Sequence, residues 1–294
     1  MYPWFPICPT TAAGMLLDEP TLGAPLIVLC LGMAIAAALI YRLAGLGPPA
    51  TVPWATLRAG VQLAAVAAIL AAAITQLWSS VLVLAVMFTV ASLTAARRSQ
   101  ATRGSAWIAM ALAAGLLCVL PALLLSGVVP STGVAVVPIV AIVLGGTMTA
   151  VAVAARLALD TLVLRAGEVE AALSLGMSNR DSRLEVIRGA ATNALLPNLD
   201  STRTVGLVTL PGAFVGVLLS TGSAAQAGAV QILVLVALLL SQSCAVAITI
   251  ELIARGRIVR AQNPSPQAGR RRIFGVGSVW SRWGHGTSMG TRSR

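Results

Sequence analysis

EVEAALSLGMSNRDSRLEVIRGAATNALLPNLDSTRTVGLVTLPGAFVGVLLSTGSAAQAGAVQ, residues 168–231, is the stretch on which the reading of this chain turns. Its first half is polar and helix-forming, and its second half is an apolar run interrupted by Pro211-Gly212. No other polar segment between apolar runs is as long, which makes it the natural place for a soluble partner to take hold. Nearly everything upstream is hydrocarbon.

Hydrophobic residues make up 57% of the 294 residues and charged residues 10%, with a mean hydropathy of +0.90. A soluble domain carries about a quarter of its residues as charges, so this is an integral membrane protein. All 20 basic residues are arginine, against 9 acidic ones, for a net charge of +11. A phosphate-binding loop of the Walker type needs a lysine, and the chain has none, so it does not hydrolyse ATP by that chemistry. The arginines fall between and after apolar runs rather than on one soluble face, the pattern of membrane topology and not of nucleic-acid binding. Cys8, Cys30, Cys118 and Cys244 are scattered with no C-x-x-C pair and read as small apolar residues.

Working outward, apolar runs at 24–41, 59–77, 81–96, 105–127, 133–155, 204–220 and 229–250 are each long enough to cross a core of about 30 Å as helix. The expected fold is therefore all-α: a polytopic membrane helix bundle of about seven transmembrane helices. Residues 1–23 form a non-cytoplasmic tail, 24–254 the transmembrane domain with a cytoplasmic segment at 156–203, and 255–294 a basic cytoplasmic tail without fixed structure that lies on anionic lipid heads. Trp78, Ser79 and Ser80 make a tight turn, and 128–132 another. Every arginine then lies on one side, which sets the N-terminus outside, the C-terminus inside, and the chain in the cell inner (plasma) membrane.

Between those span boundaries there is no Asp, Glu, Arg or His. Proton-coupled carriers use such groups as relays, and no nucleophile, base and orienting group can be assembled at the midplane, so the chain is not an enzyme. Uphill transport would need energy from another subunit. The polar segment offers a helix over 168–175, a stop at Gly176, a fresh cap at Ser178-Asn179, and a second helix from Ser182 to Leu195. Leu184, Ile187, Ala191, Ala194 and Leu195 share its apolar stripe; Pro197 ends it, and Asp200 or Ser201 caps the next span.

Glu170-Ala171-Ala172-Leu173-Ser174-Leu175-Gly176 resembles the E-A-A-x-x-x-G element of ABC transporter permeases. Further along, Ile187-Arg188, Ala194-Leu195-Leu196-Pro197, Asp200-Ser201 and Thr204-Val205-Gly206-Leu207-Val208-Thr209-Leu210-Pro211-Gly212, with Gly216 and Gln231, are similar to the FetB-type permeases, a family that includes plant aluminium-tolerance proteins. Arg58-Ala59, Gln62-Leu63, Pro138, Gly145 and Met148 extend the match upstream. The resemblance implies a permease subunit that pairs with a separate ABC ATPase, works as a homodimer, and exports a metal ion such as iron. ATP would be bound by that partner, leaving no cofactor in this chain.

The same resemblance implies ATPase coupling through Glu170, Ala171, Gly176, Asn179, Arg180, Arg183 and Arg188. Gln62, Met148, Pro211, Gly212 and Gln231 are the expected translocation pathway, since a Pro-Gly break frees backbone groups that are tolerated at membrane depth only against protein or water. The metal ligands stay unknown. The sequence departs from the family pattern at Ala213 and Phe214, where members commonly carry two methionines, at Gly146, often asparagine, and at Ala224, where proline is expected. A stand-alone channel or carrier with an interfacial amphipathic helix, or a scaffold without transport, remain the alternatives.

Overall fold

The computed structural model describes residues 24–45, 47–73, 77–125 and 133–260. The expected N-terminal tail, the 128–132 turn and the tail beyond Arg260 lie outside them. The chain divides into two units, Met1–Thr75 and Gln76–Arg294. In the first, α1 (Ala24–Leu43) packs on α2 (Thr51–Ala73). Ile27, Val28, Leu29, Leu31 and Ile35 of α1 are exposed, a surface suited to lipid.

The second unit holds α3 (Leu77–Ser99), α4 (Ser105–Leu125), α5 (Gly133–Leu164), α6 (Ala166–Ser174), α7 (Asn179–Thr204), α8 (Gly212–Thr221) and α9 (Ala224–Ala254). Its axis is α9, against which α4, α5, α7 and α8 all pack, while α5 also meets α3, α4 and α7. Small residues bring these helices together. Ala150, Ala154, Ala155 and Ala158 of α5 are buried, as are Ala190 and Ala194 of α7 and Ala245 of α9. Helices in lipid gain no hydrophobic drive from one another, so close van der Waals approach has to hold them. At Gly115 that approach reaches its limit, since a Cβ there would sit 2.6 Å from the Ser241 carbonyl oxygen and 2.8 Å from Ala245 Cβ.

The chain is thus an all-α polytopic membrane bundle, and five of its described helices are long and apolar enough to span: 25–43, 80–99, 105–125, 136–164 and 224–254. Three local expectations are corrected. Trp78, Ser79 and Ser80 form no turn but lie in the first turn of α3, where no glycine or proline stops the helix. Pro197 does not end α7, which runs on to Thr204. The amide it lacks is offset by packing on α5 and α9, and the Ser201 and Thr202 hydroxyls bond back to the Asn198 carbonyl at 3.0 and 2.7 Å. Asp200 and Ser201 accordingly sit inside α7 and cap nothing.

The third correction concerns the sixth expected span, which is not one helix. After Thr204 the chain makes a tight turn with Gly206 at φ +83, and Pro211 precedes α8 as its N-cap with φ −68 and ψ 148. With only 10 residues, α8 rises about 15 Å, half a bilayer core. Gly222 in the left-handed region turns the chain straight into α9, so the gap between the expected spans 204–220 and 229–250 shrinks to two residues.

Gly115→Ala should destabilise the second unit by about 1–3 kcal/mol through overpacking against α9. It would be read as a lowered Tm in detergent, whereas Gly216→Ala, with open space around it, should leave Tm in place. An unshifted Tm for Gly115→Ala would contradict the α4–α9 contact.

Candidate coupling and translocation site

The polar segment folds as an elbow. Helix α6 ends at Ser174 with Leu175 as its C-cap, and Gly176 follows with φ +88, a value that favours glycine. The Met177 amide donates to the Ala172 carbonyl at 3.2 Å and the Gly176 amide to the Leu173 carbonyl at 3.0 Å, a Schellman closure. Ser178 then caps α7, its hydroxyl accepting from the Asp181 amide at 3.2 Å. Each half of the joint supplies its own missing hydrogen bonds, and Glu170, Ala171, Gly176, Asn179 and Arg180 are all exposed.

One ion-paired cluster ties the elbow to α9. Arg180 donates from Nε and Nη2 to the two carboxylate oxygens of Glu251 at 2.7 and 2.8 Å, and from Nη1 to Asp181 at 2.8 Å. Arg255 donates to the same Glu251 at 2.6 Å. The bond to Glu251 raises the Arg180 pKa further, keeping the guanidinium charged. Sequence reasoning did not foresee Glu251 as this partner, although a carboxylate near the end of an apolar run was the available signal. Arg183 points elsewhere, towards Gly256, where a Cβ would lie 2.8 Å from its Nη1. It lines a cavity of about 240 Å³ together with Leu159, Val163, Glu170, Ile258 and Arg260. Arg188 lies beyond the elbow, exposed and paired with Glu185 at 3.7 Å.

Residues 255–260, expected to begin a tail without fixed structure, instead fold back on the bundle. Val259 bridges Arg103, its amide donating to the Arg103 carbonyl at 3.2 Å, and Ile258 is buried. Arg260 pairs with Asp160 and donates to the carbonyls of Ser99 and Gln100, each at 3.2 Å. A guanidinium there satisfies carbonyls at the C-terminal end of α3 and complements its dipole. Arg257 lies 4.9 Å over the Trp107 ring.

The expected pathway residues are more dispersed. Gln62 is exposed on α2 of the first unit; in the second, Met148 is half-buried against the core, Gln231 is buried with Oε1 unpartnered, and Pro211-Gly212 start α8. The structure adds polar groups that the sequence alone did not single out. Asn198 donates from Nδ2 to Gln242 Oε1 at 2.5 Å, and the Thr147 and Ser241 hydroxyls share a 2.8 Å bond. Gln242 Nε2 is buried without a partner, and a Cβ on Gly146 would lie 3.0 Å from it. That same Cβ would meet Leu238 Cδ1 at 2.5 Å, so Leu238 occupies the space a larger residue at 146 would need. Among the described residues no three His, Cys, Asp or Glu side chains cluster as a metal site.

An all-α bundle with a glycine-jointed polar elbow and an apolar run broken at Pro211 defines a polytopic membrane protein. Residues 25–258 match the family described as Uncharacterised protein family (UPF0014), and the chain belongs to it. It is 31% identical over 206 residues to the rice "UPF0014 membrane protein STAR2", covering 69% of this chain and 71% of that one. It is 33% identical to Arabidopsis "Protein ALUMINUM SENSITIVE 3", over 51% of this chain and 55% of that one. Against the Escherichia coli "Probable iron export permease protein FetB" it is 32% identical, over 47% of this chain and 53% of that one. In the last two cases the chain thus spans about half of the relative's length. No solved structure matches.

Glu251→Gln removes the charge that two arginines share. Amide exchange in the first turns of α7 should speed up several-fold while the core of α9 keeps its protection. Unchanged exchange at α7 would show that the elbow is held by something else.

Proposed function

We propose that this chain is the membrane-spanning subunit of an ABC transporter, working as a homodimer in the cell inner (plasma) membrane with a separate ATPase subunit that binds the ATP. A metal cation such as iron is its cargo, and export its direction. The observation that carries this reading is the elbow. Its E-A-A run, its left-handed Gly176 and its independently capped helices present an exposed, self-contained element on the arginine-bearing side, the form a docking helix needs to insert into another protein. Support for a metal cargo comes from the printed name of the Escherichia coli relative, which speaks of iron export.

In mechanical terms, a push on α6 reaches α7 through the joint. It passes to α9 by the Arg180–Glu251 bond at one end of α7 and by the Asn198–Gln242 bond near the other. Because α7 leads directly into the break before α8, its displacement would act where the sixth span is discontinuous. Gln62, Met148, Pro211, Gly212 and Gln231 are proposed as parts of the path, with Glu170, Ala171, Gly176, Asn179, Arg180, Arg183 and Arg188 on the coupling side.

Gly176→Val tests the coupling. A β-branched residue in the left-handed region costs about 1–2 kcal/mol, and with nothing within 4 Å of the position the strain falls on the joint alone. ATP-driven transport by the reconstituted pair should drop tenfold or more while ATP hydrolysis and membrane insertion persist. Gly167→Val, where space is equally open and φ is ordinary, should transport normally. Equal transport by both variants, or ATP-independent flux through this chain alone in liposomes, would refute the coupling role; the second result favours a channel or carrier.

A further inference from the structure

The helix pairings set a depth scale inside the second unit. Trp107, beneath the Arg257 guanidinium, marks the arginine-bearing interface. From Trp107 to Gly115 helix α4 rises about 12 Å, and Gly115 abuts Ser241 and Ala245. Gln242 therefore lies about 12 Å from the level of Trp107, near the middle of the apolar helix 224–254, and so does Asn198, which is bonded to it. Helix α7 begins at the interface, where Arg180 meets Glu251, and climbs obliquely to this level.

The segment after Asn198 is ill suited to lipid. Asp200 and Arg203 stand on the next turn, their side chains 63% and 71% exposed and 3.4 Å apart. After them comes the irregular backbone of 205–211, with Leu207 90% and Val208 78% exposed. The amides of Leu210, Gly212, Ala213 and Phe214 find no acceptor among the described residues. Two independent rules apply at one place: charged side chains at membrane depth face a water-filled cavity or other protein, and so does non-helical backbone. Sequence reasoning put Asp200 and Arg203 outside the spans because it ended α7 at Pro197.

We infer that Asp200, Arg203 and the 205–211 break line a water-filled path that enters from the arginine-bearing side and reaches mid-membrane, and that Asp200 is the carboxylate a metal cation meets there. This rests on the permease reading above. Arg203 is the resident counter-ion: with no cargo it neutralises Asp200, and an arriving hydrated cation takes its place. Hydroxyls of Ser201 and Thr204 lie on the same turns, each already bonded to a backbone carbonyl and free to accept one further bond. Beyond the break, α8 continues the path as a half-helix.

The test uses the full chain with Cys8, Cys30, Cys118 and Cys244 changed to serine. Single cysteines are placed by Asp200→Cys, Val208→Cys and, as a lipid-facing control at similar depth, Leu117→Cys, which is 64% exposed on α4. A charged, membrane-impermeant thiol reagent applied from the arginine-bearing side should label positions 200 and 208 at least tenfold faster than 117. Rates at 200 and 208 no faster than at 117 would overturn the path. With the native cysteines present, Asp200→Asn should raise the ferrous-ion concentration for half-maximal transport tenfold or more, while Val208→Cys in the cysteine-free chain carrying Asp200→Asn stays reactive. An unshifted ferrous-ion dependence would overturn the role of Asp200. Labelling needs no ATPase partner, so fast labelling alongside failure to pair with an ATPase would sink the permease reading and leave the wet path standing.

Discussion

Hydrocarbon tolerates neither a free backbone hydrogen-bonding group nor an unpaired charge, and this constraint arranges the whole chain. A charge at the centre of a spanning helix costs about 3 kcal/mol on insertion scales, and each orphaned amide several more. Five described helices meet the constraint by being apolar along their length. In the second unit several described arginines gather near one end of the bundle and do structural work there: Arg180 and Arg255 on Glu251, Arg260 on Asp160 and the last carbonyls of α3, Arg257 over Trp107. Among the described residues the constraint is broken most plainly along α7 and at the start of α8, where charged side chains and irregular backbone follow one another.

The elbow and the break lie at the two ends of α7. Gly176 supplies the left-handed turn that joins α6 to α7, and the Ser178 cap fixes where α7 begins. That helix is pinned to α9 near both ends and leads straight into the discontinuity at 205–211. The packing against α9 is dense, with Gly115 admitting no side chain and Gln242 fully buried. A displacement of α7 is therefore passed on and not absorbed, since close-packed interiors transmit strain.

Much of this was legible in the residues. The apolar runs announced an all-α membrane bundle, Gly176 a joint, and Ser178 a cap, because each depends on local chemistry that a short window contains. Ile187, Ala194 and their neighbours were recognisable as the inward stripe of α7 by helical spacing. The persistence of α7 through Pro197 was not legible, since the packing on α5 and α9 that offsets the missing amide is set by distant sequence. The half-length of α8 was hidden for a related reason: hydropathy averages over 204–220 and does not see that Gly206 turns the backbone. The pairing of Glu251 with Arg180 joins residues 71 apart in the chain, and no periodicity reports that.

The account stands or falls on whether another protein receives the elbow. A photoactivatable residue in place of Ala171, on the exposed face of α6, would be irradiated in membranes containing the chain and a candidate ATPase subunit bearing a G-x-x-x-x-G-K-[ST] loop. The account predicts a crosslink between this chain and that subunit, its yield changing when ATP is added. Adducts to lipid alone, with the ATPase subunit never captured, would contradict it.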